Sequence, residues 1–307
     1  MTDRLMLLDS ASLYFRAFFG VPDSVRAADG TSVNAVRGFL DIIAKLVGTY
    51  SPTRLVACWD DDWRPQWRVD LIPTYKTHRV VEEVESGPDV EEVPDPLQAQ
   101  VPVIREVLDA LGIPVVGAPE HEADDVIGTL ATIADMPVDV VTGDRDLFQL
   151  VEDARNVRVI YTGRGMSNLD VLTDDAVLAK YGVRPSQYAD FATLRGDPSD
   201  GLPGVAGVGE KTAAKLLAEH GDLAGVIAAA EAGTGMTAGV RNKILAALPY
   251  LEVAPTVVRV VRDLDLPPAD APLAPLDDEA LAHARALAET WNLGGSLERA
   301  LAALSGR

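Results

Sequence analysis

One cysteine, Cys58, occurs in the 307 residues, so an internal disulfide is excluded. Its place in the apolar run Leu55-Val56-Ala57-Cys58-Trp59 predicts a buried strand residue, and thiol catalysis is not expected. Histidine is scarce as well. His78, His121, His220 and His283 lie far apart and show no zinc-ligand spacing, so a bound metal is expected on oxygen. No run of 18 apolar residues exists to span a bilayer. The first ten residues, through Ser10, lack the basic region, long apolar stretch and small-residue cleavage site of a signal peptide, which predicts a cytoplasmic protein without a membrane partner. Basic residues are few: 27 Lys and Arg stand against 47 Asp and Glu, and the net charge of −20 would ordinarily argue against nucleic acid. That average misleads. Seven acids (Glu82, Glu83, Glu85, Asp89, Glu91, Glu92, Asp95) crowd one segment free of Lys and Arg, and further acids recur in spaced pairs. Acids around divalent cations are neutralised by them, so the field at a site can differ from the whole-chain sum.

What the chain does have is 48% hydrophobic residues, enough for a large core. Residues 4–168 alternate short β-rich runs with helical patterns, the signature of an α/β fold with a parallel sheet covered by helices. Strands are expected at Leu5–Asp9, Leu55–Asp60, Ile113–Val116, Val138–Thr142 and Val157–Tyr161. A helix is expected where Val33, Val36, Phe39, Leu40, Ile43, Leu46 and Val47 repeat, and another over Leu97–Leu111. Residues 61–96 break the rhythm, first rich in Trp, Arg and Lys and then acidic with prolines; too long for an ordinary connection, they predict a mobile excursion over the sheet edge. From Thr173 to about Leu248 the chain reads as helical, with a further strand or extended run at Val257–Val261 and a helical tail from Asp277 to Leu304. Two regions follow: 1–172 as an α/β core including the excursion, and 173–307 as a helical region with its tail.

Three expected strands end in acid, at Asp9, Asp60 and, after Thr142-Gly143, Asp144. Ligands of open parallel sheets bind at the carboxyl ends of the strands, so these side chains should meet in one crevice. Glu122, Asp124 and Asp125 at a helix start, Asp146, and Asp197 with Asp200 join them. Taken singly, each acid reads as a cap or turn residue. Taken together they repel unless cations intervene, and nine acids suit two Mg²⁺ or Mn²⁺ ions that keep some of their waters. Arg64, Arg68, Lys76 and Arg79 follow Asp60 and could hold a phosphate over such ions, though a solvated loop would look the same. Gly204, Gly207 and Gly209 precede a helix that opens with Glu210, Lys211 and Thr212 and carries Lys215. Glu210 stands where a nucleotide-binding P-loop needs Lys, so no nucleotide cofactor is expected. A helix-hairpin-helix-like grip over 185–220 on sugar-phosphate, through Gly207, Val208, Gly209, Lys211, Thr212 and Lys215, fits better.

These blocks resemble, in order along nearly the whole chain, the bacterial 5′–3′ exonuclease and flap endonuclease family, whose members also form the N-terminal domain of DNA polymerase I. The resemblance rests on Leu8-Asp9 with Tyr14-Phe15-Arg16-Ala17-Phe18, on Asp60 followed by Arg68, and on Tyr75-Lys76 with Arg79. It continues through Glu122-Ala123-Asp124-Asp125, Thr142-Gly143-Asp144-Arg145-Asp146 and Gly196-Asp197-Pro198-Ser199-Asp200-Gly201, and on to Gly209-Glu210-Lys211-Thr212. It implies a PIN-like core, a helical arch admitting a single-stranded 5′ end, and a DNA-binding segment that in the family often holds K⁺. It further implies that Asp9, Asp60, Glu122, Asp124, Asp125, Asp144, Asp146, Asp197 and Asp200 hold two divalent metals. Lys76 and Arg79 would lie on the arch and act with Asp9, Asp125 and Asp144 in catalysis, Lys76 facing the scissile phosphate. Phe15 would stack near the unpaired terminal nucleotide, with Arg16 and Arg68 also on DNA. A stand-alone monomeric nuclease acting on 5′ ends, flaps or nicks is expected. Ser10 replaces the family's frequent Gly after the first strand acid, and the stretch from Val80 to Pro96 is longer and more acidic than usual. Rival readings are a haloacid-dehalogenase-type phosphatase, which wants an acid where Ala11 stands, a PIN-type ribonuclease, and a non-catalytic DNA-junction binder.

Overall fold

A computed structural model describes residues 3–84, 87–267 and 272–305. Its strands, in chain order, are β1 (Leu5–Asp9), β2 (Arg54–Cys58), β3 (Val80–Glu82), β4 (Val90–Glu91), β5 (Val115–Val116), β6 (Val138–Thr142), β7 (Val157–Tyr161) and β8 (Asp170–Leu172). Six of them form one sheet in the order β5-β2-β1-β6-β7-β8, parallel except for β8, which runs antiparallel to β7 at the edge. Three residues with one exposed position offer too little alternation to reveal β8 in the sequence. The central strands are apolar on both faces because helices cover both. Leu5, Leu7, Val138 and Val140 join one core cluster, while Met6, Leu8, Val141 and Ile160 join the other.

The helices are α1 (Ser10–Gly20), α2 (Asn34–Tyr50), α3 (Gln66–Leu71), α4 (Asp95–Gln98), α5 (Val101–Ala110), α6 (Ala123–Ile133) and α7 (Asp174–Tyr181). They continue as α8 (Tyr188–Arg195), α9 (Glu210–His220), α10 (Leu223–Ala232), α11 (Ala238–Ala246), α12 (Leu248–Val258), α13 (Asp278–Thr290) and α14 (Gly295–Ser305). Among the described residues no helix is long and apolar enough to cross a membrane. One face of the sheet carries α6 and most of the helical region, while α1, α2, α5, α13 and α14 cover the other. The tail therefore returns to the front half of the chain: Arg299 Nε and Nη2 grip Asp41 on α2 at 2.8 and 2.9 Å.

Two expectations are corrected. Residues 61–96 do not form a helical arch; they fold as α3, a 3₁₀ turn at Thr77–Arg79, the ribbon β3–β4 and α4, with residues 85–86, including Glu85, outside the description. Like-charged acids with valines between them and Pro88 and Pro94 close by disfavour a helix. Nor does the segment hang loose. Trp63 Nε1 donates to Asp89 O at 2.7 Å, and the buried Arg64 donates to Tyr75 O at 2.7 Å and pairs with Asp89. The second correction concerns Val257–Val261, where α12 persists through Val258 despite Pro255 and only the residues after it are extended. Among the described residues no neighbouring strand pairs with them; Val260 N–H donates to Gln149 Oε1 at 3.1 Å and Val261 N–H to Asp125 Oδ1 at 2.8 Å.

Candidate metal centre

Parallel strands deliver their carboxyl ends to one rim, and the acids arrive with them. Asp9 closes β1 and caps α1, accepting from Ser12 N–H at 3.2 Å. Asp60, two residues past β2, accepts from Ala123 N–H at 2.7 Å, which ties it to the start of α6. Asp144 follows β6 and accepts from Asp146 N–H at 2.8 Å. Asp9, Asp60, Glu122, Asp124 and Asp144 line one cleft of about 420 Å³, together with Phe15, Lys76, Arg79, Glu91 and Glu92. Asp146, Asp197 and Asp200 stand on its flank, and Asp144, Asp200 and Asp197 are all close enough to act on Asp146. Asp144 is thus shared between two groups of acids, one beneath α6 and one beside the turn at 198–200.

Burial and mutual repulsion show in the acidities. Burial, opposed by a hydrogen bond from Thr142 and reinforced by Asp60 and Asp144, pushes Asp9 up to about 7. Burial likewise takes Asp60 to about 6 against the Ala123 hydrogen bond, and Asp200 to about 6 against the pull of Lys76. Asp124 and Asp146 lie well above the carboxylate range, through burial first and then Asp144. Asp146 Oδ1 is buried with no hydrogen-bond partner among the described residues. Such acids fit hard divalent cations, which want oxygen and would remove the repulsion. Among the described residues no three acid, His or Cys side chains already close on one point. The fit is therefore to ions that keep much of their hydration and take one or two direct carboxylates each.

A pH dependence follows. In the unfolded chain an Asp ionises near ~3.9. Asp9, Asp60 and Asp200 hold their protons to about 7, 6 and 6 in the fold. Between those limits the native state binds more protons, so stability from these groups is full below the unfolded value and lost as pH rises through the folded ones. The melting temperature of chelator-treated protein should fall by several degrees between pH 5.5 and 8, at roughly 2–4 °C per kcal/mol, and Mg²⁺ should restore more at pH 8 than at 5.5. A pH-independent Mg²⁺ increment would contradict this electrostatic description.

Not every expected residue faces the cleft. Asp125 is fully buried, with its oxygens taken by Arg68 Nη1 and Nη2 at 2.9 and 2.7 Å and by Val261 N–H at 2.8 Å. Glu122 accepts from Arg68 at 2.7 Å, from Tyr75 Oη at 2.6 Å and from Lys76, so it reaches the cleft already saturated. Asp197 caps its own turn, accepting from Ser199 N–H and Arg195 Nη2, both at 2.9 Å. Lys76 lies in the cleft wall; burial works against its charge, but Glu122, Tyr75 and Asp200 hold its pKa well above the ordinary value. Arg79 donates to Ser199 O at 2.7 Å and Asp200 Oδ1 at 3.1 Å. Arg68 is corrected outright: at 2% exposure, paired with Glu122 and Asp125 and donating to Val257 O at 3.1 Å, it cannot touch DNA. Isolated in sequence, it looked like any other basic residue of the excursion.

Phe15 is half-buried, stacked on Tyr14 with ring centroids 5.4 Å apart and on the cleft rim; Arg16 is half-buried beside it. In the second unit α8 and α9 are joined by the glycine loop. Gly196 and Gly204, at φ +77° and +65°, meet backbone to backbone with no room for a Cβ, so both positions need glycine. Gly207, Gly209, Lys211 and Lys215 are exposed and Thr212 half-exposed, while Val208 turns its side chain inward and can offer only backbone. Lys243 Nζ donates to Gly207 O at 3.0 Å, a support that nothing in the sequence signalled. Tyr75 and Thr142 were also missed, although both adjoin motif residues.

Fold and cleft together define a mostly parallel-sheet α/β protein with an acid-lined cleft and a helical hairpin unit beside it. Two family models cover the chain: the 5′-3′ exonuclease N-terminal resolvase-like domain over residues 4–182 and the 5′-3′ exonuclease C-terminal SAM fold over 183–279. The chain belongs to the 5′–3′ exonuclease family of nucleases. It is 60% identical over 303 residues to a 5′-3′ exonuclease of Streptomyces coelicolor, covering 98% of this chain and all of the relative. A 5′-3′ exonuclease of Mycobacterium tuberculosis is 52% identical over 316 residues, with 99% and 98% covered. Among solved structures, the phage T5 flap endonuclease in complex with DNA and metal ions superposes with a TM-score of 0.65 at 18% identity, covering 97% of this chain and 99% of that one. At that identity the likeness concerns the fold.

Proposed function

We propose that this chain hydrolyses DNA phosphodiesters at 5′ ends, flaps and nicks, using two divalent cations, Mg²⁺ or Mn²⁺, in the acid cleft. The observation that carries the reading is the meeting of acids from β1, β2, α6 and the loop after β6 in one cleft with Lys76 and Arg79. Cations bound there would lower the pKa of water and screen the phosphate's charge. Asp9, Asp124, Asp144 and Asp146 would hold them, with Asp60, Glu122, Asp197 and Asp200 in support and Asp125 fixing Arg68. Lys76 and Arg79 would orient the scissile phosphate and meet charge as it builds on it. Phe15 offers a stacking face at the rim, and the glycine loop with Lys211, Thr212 and Lys215 would hold the backbone of the duplex, with K⁺ on loop carbonyls as a further element. We read the active form as a cytoplasmic monomer.

The test is incubation with a 5′-flap duplex, a nicked duplex and an RNA strand in Mg²⁺, Mn²⁺ or chelator, with product ends mapped. Cleavage of the DNA substrates only with metal, leaving 5′-phosphate and 3′-hydroxyl, is expected; binding without cleavage would sink the proposal. Lys76→Ala should lower the single-turnover rate about 10²–10³-fold. Its effect on DNA affinity, measured by anisotropy in Ca²⁺, should be much smaller, and equal losses in both would remove Lys76 from the reacting phosphate.

A further inference from the structure

Thr142 ends β6 with no exposed surface, and its hydroxyl lies between two cleft acids from different strands. It donates to Asp9 Oδ2 at 2.6 Å and accepts from Asp144 N–H at 2.8 Å. A hydroxyl has one hydrogen, so once that hydrogen is on Asp9 its lone pairs are left for Asp144 N–H, and the polarity of the link is set. The surroundings hold Thr142 in turn. Its carbonyl accepts from Thr162 N–H at 2.8 Å and Thr162 Oγ1 at 3.1 Å, and Thr162 is itself fully buried. On the far side Gly143 N–H donates to Ser12 Oγ at 2.9 Å, while Ser12 N–H donates to Asp9 Oδ1 at 3.2 Å. Asp9, Thr142, Gly143 and Ser12 thus close a ring of hydrogen bonds across the ends of β1 and β6, which pair in parallel up to Leu8 and Val141.

We propose that Thr142 is a positioning residue that couples Asp9 to Asp144, so that acids from two strands present themselves to divalent cations as one unit. This rests on the metal-dependent reading above. Valine keeps the shape and apolar bulk but offers neither donor nor acceptor. Asp9 would lose its only side-chain donor among the described residues and Asp144 N–H its acceptor, so each acid would turn independently. Partners that orient metal ligands matter about 10–100-fold in affinity when removed.

The experiment compares wild type, Thr142→Val and Thr142→Ser by electron paramagnetic resonance of free Mn²⁺, titrated without DNA, and by flap cleavage over a Mn²⁺ series. Mn²⁺ affinity should weaken roughly 10–100-fold in T142V and stay within about threefold of wild type in T142S. Cleavage by T142V should need correspondingly more Mn²⁺ yet approach the wild-type rate at saturation. Unchanged Mn²⁺ affinity in T142V overturns the proposal, and so does a T142S as weak as T142V, since a hydroxyl at this position would then not be enough to hold the two acids. Should T142V fail to fold, T142A carries the same comparison. Wild type that cleaves without binding Mn²⁺ overturns the functional reading itself, whereas wild type that binds Mn²⁺ while T142V matches it leaves that reading standing and removes only the role of Thr142.

Discussion

Asp144→Asn is expected to lower phosphodiester hydrolysis by at least about 10²–10³-fold, and at the same time to raise the melting temperature of the chelated protein at pH 8. Both effects have one source. Asp144 acts on Asp9, Asp124, Asp146 and Asp200, pushing the pKa of each upward. Its charge is common to all four, which makes it the electrostatic centre of the cleft. Neutralising it relieves repulsion that the fold bears without metal, and also removes the charge shared by the two groups of acids. Asparagine keeps the size and can still accept the Asp146 N–H, so the loop geometry should survive. Single-turnover flap cleavage and thermal melts in chelator measure the two halves. Turnover within tenfold of wild type would place Asp144 outside the chemistry; lost turnover with a lower melting temperature would make its role structural.

Arg68→Ala should destabilise the chelated protein by about 3–5 kcal/mol, the usual penalty when one member of a buried ion pair is removed. Its guanidinium serves two acids and a carbonyl at once: Glu122 at 2.7 Å, both oxygens of Asp125, and Val257 O at 3.1 Å. Asp125 would be left fully buried, with backbone N–H groups as its remaining partners. The link to Val257 matters as well, because it fastens α12 to the start of α6. Urea titration should show the loss. The Arg68→Met, Asp125→Asn double variant should recover much of it, since a neutral buried pair avoids the uncompensated charge. A single variant within 1 kcal/mol of wild type would mean that Asp125 finds water or protonates at small cost.

Much of the fold was legible because its signals are local. Alternating apolar runs of five residues announce β1, β6 and β7, and the same runs, apolar on both faces, announce a covered parallel sheet. Asp9 and Asp144 could be placed on one rim because parallel strands all carry their ends to the same side. The ribbon β3–β4 was not legible as such, since prolines and clustered acids mark only a break in regular structure; its shape comes from Trp63 and Arg64 reaching across to Asp89. The path of the tail was equally hidden, for the choice of α2 as its partner depends on a face that exists only after the sheet has formed.

By itself the sequence determined the class of fold, the acids available and the order in which strands deliver them, because hydrophobic period and strand-end position are properties of neighbouring residues. Only the tertiary structure decided which of those acids stand open and which are already spoken for. Arg68 and Asp125, 57 residues apart, neutralise each other in the interior, while Asp146 Oδ1 keeps no partner among the described residues. Whether a charge is free or compensated depends on distances between side chains far apart in the chain, and those distances are set by packing.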